Sequence, residues 1–455
     1  MSSTPLQSAV QPTGKASTQR REVRGVHAVI QTTASKSLIL GLQAGTGILT
    51  ARILGPAGRG ELAAMILWPL FVANVTTIGV PSSLIYQLRM GASERNRIVT
   101  TGFAISVIIG IAAAAAAAWL LPWWLHQYSA GIVHAAQCFL LTVPICSMTL
   151  AGRAILEASH DFSASNAIQI LTPFATLIGL LLFIAIHQFN PYTAALAYIA
   201  ASVPAFSLML WRVGRTGVRV VGIQITVLRT ILQYGIRSYG IDILGTLALQ
   251  VDQVLVVSLL SAGAMGSYVV VLSLSRMLNV FQTSVVMVLF PKAAGHSVQK
   301  VINMTGNAVR ISGLITVGCG ICLCLAGPAL LRIVYGPEYE GAAGALRILI
   351  LEAILSGITF VLAQAFMALN RPGVVTLLQG VGLSLSVPMM LLLIPRYGMY
   401  GAAISLLVST TVRLLFVFAG FRVFLKTSSP RLLPSLQDIQ EFISTVRLLR
   451  REGSA

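Results

Sequence analysis

The chain has 455 residues, of which 56% are hydrophobic and only 10% charged, with a net charge of +18 and a mean hydropathy of +0.84. That composition excludes a soluble globular protein and describes an all-α polytopic membrane protein. The basic excess is not a nucleic-acid signature, because it is concentrated in alternate loops between apolar runs, the intervening loops carrying chiefly Arg59, Arg332 and Arg396.

Residues 1–24 read as a disordered cytoplasmic tail, polar and basic, with no cleavable signal because the first apolar run continues as a full span. A helix needs about 20 apolar residues to cross ~30 Å of hydrocarbon. Hydropathy places twelve such spans near 28–53, 62–88, 98–121, 134–154, 167–187, 192–211, 232–260, 267–290, 303–328, 346–369, 374–394 and 400–424. The first six form an N-terminal lobe over 25–212, a basic linker covers 213–229, and a second six-helix lobe covers 230–424. Arg89, Arg95 and Arg97 follow span two, Arg212, Arg215, Arg219 and Arg229 follow span six, and Lys292 and Lys300 follow span eight. By the positive-inside rule both termini are cytoplasmic, and the basic loops face anionic lipid. In the tail 425–455, Ser435 and Asp438 form a capping-box pattern ahead of Ile439, Phe442, Ile443, Val446 and Leu449 at helical spacing. An amphipathic helix on the inner leaflet, or one that docks a partner, fits that pattern.

The two lobes echo one another. Leu54-Gly55-Pro56-Ala57-Gly58-Arg59-Gly60 recurs as Leu260-Ser261-Ala262-Gly263-Ala264-Met265-Gly266, an offset of 206, and Tyr192-Thr193-Ala194-Ala195 recurs as Tyr400-Gly401-Ala402-Ala403, an offset of 208. Internal repeats in so apolar a chain are how many transporters build two pseudo-symmetric lobes around a midplane site.

An ionised side chain near the bilayer centre costs at least ~2.5–3.5 kcal/mol on insertion scales, so each one needs a partner, a wet cavity or an escape route. In span one, Lys36, Gln43, Gly47 and Thr50 share a helical face, while Arg52 points away and snorkels outward. Span eight repeats the pattern with Ser273, Arg276, Asn279 and Thr283. Span seven carries Asp242 and Asp252, span ten Glu352 and span twelve Arg413. Arg276 and Arg413 have no evident local carboxylate and read as cations awaiting an anion. Lys36, Gln43, Arg276, Asn279 and Arg413 are therefore the candidate substrate residues. Asp242, Asp252 and Glu352 are candidates for coupling an ion or for gating, or for plain helix–helix bonding. Lys36 and Asp242 stand at equivalent repeat positions, 206 apart, so a cross-lobe ion pair and a pair opened by substrate or proton are both open readings. Arg153 and Glu157 form a structural i, i+4 pair.

The five cysteines lie inside spans without nearby histidines, so no disulfide framework or metal site is expected. No phosphate loop, nucleophile elbow or paired-carboxylate motif occurs, and the loops opposite the basic ones are short. These features oppose an ATPase, a hydrolase, or a membrane polymerase or acyltransferase.

Ala51-Arg52-Ile53-Leu54-Gly55-Pro56-Ala57-Gly58-Arg59-Gly60-Glu61-Leu62 resembles the first loop of Wzx-like polysaccharide-biosynthesis flippases of the multidrug/oligosaccharidyl-lipid/polysaccharide exporter superfamily. Asp252-Gln253, Gly266-Ser267-Tyr268, Phe290-Pro291, Ala368-Leu369-Asn370-Arg371-Pro372 and Ile394-Pro395-Arg396-Tyr397-Gly398 extend the resemblance over about 28–424. It implies a twelve-helix, two-lobe transporter in the bacterial inner membrane. That transporter would turn an undecaprenyl-diphosphate-linked oligosaccharide from inner to outer leaflet by alternating access, for exopolysaccharide, O-antigen or capsule synthesis. A cationic cavity, H+ or Na+ as coupling ion, no cofactor, and polysaccharide polymerase or export machinery as partners are implied with it. The rival is a multidrug antiporter of the same superfamily, which needs acidic cavity groups. Before Glu157 no carboxylate lies inside a first-lobe span, and Lys36 stands there instead.

Overall fold

The computed structural model describes residues 14–90, 94–293 and 295–432. The expected tail helix over 435–451 lies outside the described residues. Among them the chain is a run of α-helices, as the lipid solvent requires when no water can satisfy a backbone amide. α1 is Gly14–Val75, α2 Val80–Arg89, α3 Arg95–Trp124, α4 Ala130–Phe139, α5 Val143–Ala158, α6 Phe162–Ala185, α7 Pro191–Ala200 and α8 Ser202–Arg215. The second half holds α9 Ile225–Leu259, α10 Ala262–Arg276, α11 Asn279–Ala293, α12 Val298–Leu330, α13 Ala343–Ala368, α14 Pro372–Tyr397 and α15 Met399–Phe424.

Among the described residues nine helices are long and apolar enough to cross a membrane, and eleven if each of two bent pairs makes one span. The stretch Ala34–Val75 has 42 residues, roughly 63 Å at 1.5 Å per residue, twice the hydrocarbon thickness. Gly55, with φ 64 and ψ −179, interrupts it. Only a residue without Cβ takes that backbone shape readily. Division there brings the spans to twelve, the number that hydropathy predicts.

Local structure departs from the hydropathy reading in three places. α1 begins at Gly14, inside the segment read as a disordered tail, because Lys15, Ala16, Gln19, Arg20 and Glu22 are good helix formers and extending an existing helix needs no new nucleus. Span two ends at Val75 and resumes as α2 after a turn in which Ile78 and Gly79 have positive φ. Spans seven and eight are broken: Ile225–Gly240 and Ile243–Leu259 meet at 55°, and Ala262–Arg276 and Asn279–Val286 at 43°. Irregular backbone at such depth is tolerated where it lines a cavity or is buried in protein.

Three apolar clusters hold the molecule. One, with Leu84, Ile155 and Met209, lies mainly in the first half and takes in Val227 and Ile231 at the start of α9, and one, with Val301, Leu362 and Phe421, lies within the second. The third joins the halves through Leu62 and Met65 of α1, Met265 and Tyr268 of α10 and Leu349 of α13. There the repeated segments cross. A Cβ on Gly60 would overlap the Ala262 carbonyl, and one on Gly266 would overlap the Pro56 carbonyl. Tyr339 donates to the Ala51 carbonyl at 3.1 Å, and Arg52 reaches the carbonyls of Ile333 and Val334. At the opposite, arginine-rich end, Tyr86 of α2 stacks on Tyr234 of α9 at 4.3 Å and Tyr239 donates to the Val75 carbonyl. The linker is strapped along α3, where Asn96 and Thr100 accept the backbone N–H groups of Arg219 and Val221. The halves therefore meet at both ends and leave a cleft between.

Candidate functional site

The break in span eight builds the site. α10 stops at Arg276, so this guanidinium stands at a helix C-terminus, where unpaired carbonyls favour a cation. α11 restarts at Asn279 and carries Thr283 and Ser284 on the same side. Facing them from the first half is α1, with Lys36 and Ser37. These six residues line a cleft of about 190 Å³ between the halves. Lys36 is exposed there, and no carboxylate is among the described lining residues.

Arg276 is not free. Its Nη2 donates to Asp252 Oδ2 at 2.8 Å, and the Tyr268 hydroxyl donates to the same oxygen at 3.2 Å. The pair is lopsided: the Asp252 side chain is 2% exposed and that of Arg276 36%. The carboxylate is an internal anchor, and the guanidinium leans from it toward the cleft. A charge-assisted bond of this length orients the cation while leaving several N–H donors for another acceptor.

A second cavity of about 470 Å³ adjoins the cleft, with Arg276, Asn279 and Thr283 in the walls of both. It lies among α9, α11, α13, α14 and α15 of the second half. Glu352 Oε1 accepts from the Thr410 hydroxyl at 2.7 Å, and Arg413 Nη2 donates to that hydroxyl oxygen at 3.1 Å. Gln282 donates to Thr316 at 2.5 Å. Two glycines make room for these side chains: a Cβ on Gly382 would stand 2.5 Å from Arg413 Cδ, and one on Gly357 would strike the Gln282 amide.

Of the residues expected to meet cargo, Lys36, Arg276 and Asn279 share the cleft. Gln43 lies on the same α1 face two turns along, exposed and outside its lining, and Arg413 faces the neighbouring cavity. The reading of Arg276 and Arg413 as cations without carboxylates is corrected. Asp252 holds the first and Glu352 stands one hydroxyl from the second, contacts that join residues 24 and 61 positions apart and leave no local trace in the sequence. Asp242 falls at the break in α9, and its side chain lies outside the described residues. Tyr268, which stands in one of the family-like motifs, and Thr410 were not singled out as site residues, because their contacts with Asp252 and Glu352 join separate helices. Gln282 was legible, three residues after Asn279. Arg153 and Glu157 pair at 3.7 Å with Ser165 between them, a structural contact as the spacing predicts.

Residues 49–344 match the family described as polysaccharide biosynthesis protein. A probable low-salt glycan biosynthesis flippase of Haloferax volcanii, Agl15, is 23% identical over 188 residues, 40% of this chain. The match spans 40% of that relative's own length. Among solved structures, a lipid II flippase MurJ in an inward closed conformation superposes with a TM-score of 0.75 at 14% identity, covering 90% of this chain and 89% of that one. An inward-facing multidrug resistance transporter of the MATE family superposes at 0.68 with 15% identity, covering 85% and 94%. At such identities these likenesses speak for the fold: a multi-pass, two-lobe membrane transporter architecture.

Proposed function

The chain belongs to the polysaccharide biosynthesis protein family, and from that premise we propose that it is a flippase for a lipid-linked oligosaccharide rather than an enzyme. Its cargo is an oligosaccharide on a polyprenyl diphosphate, undecaprenyl diphosphate in the bacterial inner membrane, carried from the cytoplasmic to the outer leaflet by alternating access of the two lobes. The observation that carries the reading is the convergence of Lys36 and Arg276, one from each half, on a cleft whose described lining has no carboxylate. Two cations on opposite walls suit a diphosphate. A multidrug antiporter would need acidic groups there to hold cationic drugs.

Both termini are cytoplasmic in this reading, and an H+ or Na+ gradient supplies the energy. Polysaccharide polymerase and export machinery take the product. The test is surface-polysaccharide export in cells whose own flippase gene is deleted. Lys36→Gln and Arg276→Gln together lower export per folded protein at least about tenfold, equivalent to about 1.4 kcal/mol of lost interaction. Lys36→Arg retains it. Undiminished export by the double variant would sink the assignment.

A further inference from the structure

We propose that the 470 Å³ cavity of the second half is a carbohydrate subsite that receives the first sugars of the cargo while Lys36 and Arg276 hold its diphosphate. The inference rests on the flippase reading and deepens it. Its size falls within the ~300–1,000 Å³ usual for small-molecule pockets.

Charge balance argues for a neutral ligand. The cavity walls hold Glu352, Arg413 and Arg276, and Asp252 is bonded to Arg276 from behind. Inside the cavity Glu352 and Arg413 balance one another, and Arg276 stands at the border, held by Asp252 and turned to the cleft. A metal cation would meet the guanidiniums, and a second anion would meet the Glu352 carboxylate. The lining is largely apolar, with Leu249, Phe360, Val375, Leu383 and Leu406, but the amides of Gln282 and Gln379 and the hydroxyls of Ser356, Ser386 and Thr410 set among them disfavour an alkyl chain. Burying such groups against hydrocarbon forfeits their hydrogen bonds. Phe360 and Leu383 supply apolar wall for the C–H face of a pyranose ring. Amides, hydroxyls, one carboxylate and one guanidinium around a patch of apolar surface are the donors and acceptors that a polyhydroxyl ligand uses.

Unfilled bonding capacity points the same way. Gln282 Oε1, Asn279 Oδ1 and Arg413 Nε, all on lining residues, are buried with no hydrogen-bond partner among the described residues, and Gln282 is 1% exposed. A buried polar atom left unpaired costs ~1–3 kcal/mol, so three on residues that line one cavity call for a ligand rich in donors and acceptors. Position completes the argument. Because Arg276, Asn279 and Thr283 border both spaces, a diphosphate at Arg276 delivers the sugar bonded to it directly into the cavity.

The test compares binding of farnesyl diphosphate with binding of the same lipid bearing one N-acetylglucosamine or one galactose, using the purified full chain in nanodiscs. At least one sugar-bearing probe binds about tenfold tighter than the bare diphosphate. Gln379→Leu and Gln282→Leu bring that ratio toward one without changing affinity for the bare compound. In a cysteine-free background, Ser356→Cys reacts with a hydrophilic methanethiosulfonate, and the sugar-bearing probe slows the reaction while bare farnesyl diphosphate does not. Diphosphate binding that depends on Lys36 but gains nothing from either sugar, or equal protection of Cys at 356 by both probes, would overturn the subsite alone. Diphosphate binding indifferent to Lys36→Gln would instead overturn the flippase reading beneath it.

Discussion

Arg276 answers to two environments. Its anchor, Asp252, is nearly fully buried, and removing the guanidinium strands that carboxylate where water cannot reach it. Breaking such a pair is costly mainly for the partner left behind. Arg276→Gln should therefore lower the unfolding temperature of the purified protein, and adding Asp252→Asn should recover much of the loss. A double-mutant cycle is expected to give a coupling of about 1–3 kcal/mol, and strictly additive losses would refute the pair. The same argument separates stability from cargo binding: the double variant folds but lacks the cleft cation, so export stays low. At this scale the sequence was informative about which residues are unusual. Lys36, Arg276, Glu352 and Arg413 announce themselves as charges within apolar runs. It was silent about pairing, because Thr410 reaches Glu352 across 58 residues and Arg276 reaches Asp252 around a turn between helices.

Helices meet most closely where the repeat predicts symmetry. Gly60 and Gly266, equivalent at an offset of 206, lie against the Ala262 and Pro56 carbonyls respectively, so each repeat copy is the close-packing partner of the other. Gly266→Ala places a methyl group into backbone that cannot yield as a side-chain tip would. Overpacking of this kind costs about 1–3 kcal/mol, enough to shift a two-state equilibrium by roughly tenfold or more. The expected outcome is faster alkylation of a reporter Ala64→Cys, at a position buried here, in a cysteine-free background, as this end spends more time open. Unchanged alkylation together with normal export would argue that the crossing is not a closure. The repeated tyrosines are placed alike as well, Tyr192 with its hydroxyl 2.8 Å from where a Gly131 Cβ would stand, and Tyr400 2.7 Å from the one at Gly344. Breaks in spans seven and eight were not legible, because no proline marks them and an apolar run reads the same straight or bent.

Taken as a whole, the two halves touch at both ends beside a cleft whose lining residues Lys36, Ser37, Thr283 and Ser284 are exposed, with a side cavity in the second half. Alternating access then requires each end to part in turn. Replacing Tyr86 and Tyr234 by cysteine puts two thiols where the rings now stack at 4.3 Å, and a short bis-methanethiosulfonate should join them through two disulfides, releasing sulfinate. Cross-linked protein in vesicles is expected to stop moving lipid-linked cargo and to resume on reduction. Continued transport by the linked form would exclude parting at that end as an obligatory step. What the sequence determined by itself was the solvent, the number of spans, the repeat and the faces carrying charge. All of these follow from local composition and helical period, because in hydrocarbon a chain must satisfy its backbone within each segment. What only the tertiary structure decided was which faces share a space. Lys36 and Asn279 meet in the cleft while Gln43 and Arg413 do not, because helix breaks, glycine crossings and hydrogen bonds between distant residues set the relative rotation of helices, and no short stretch of chain encodes that rotation.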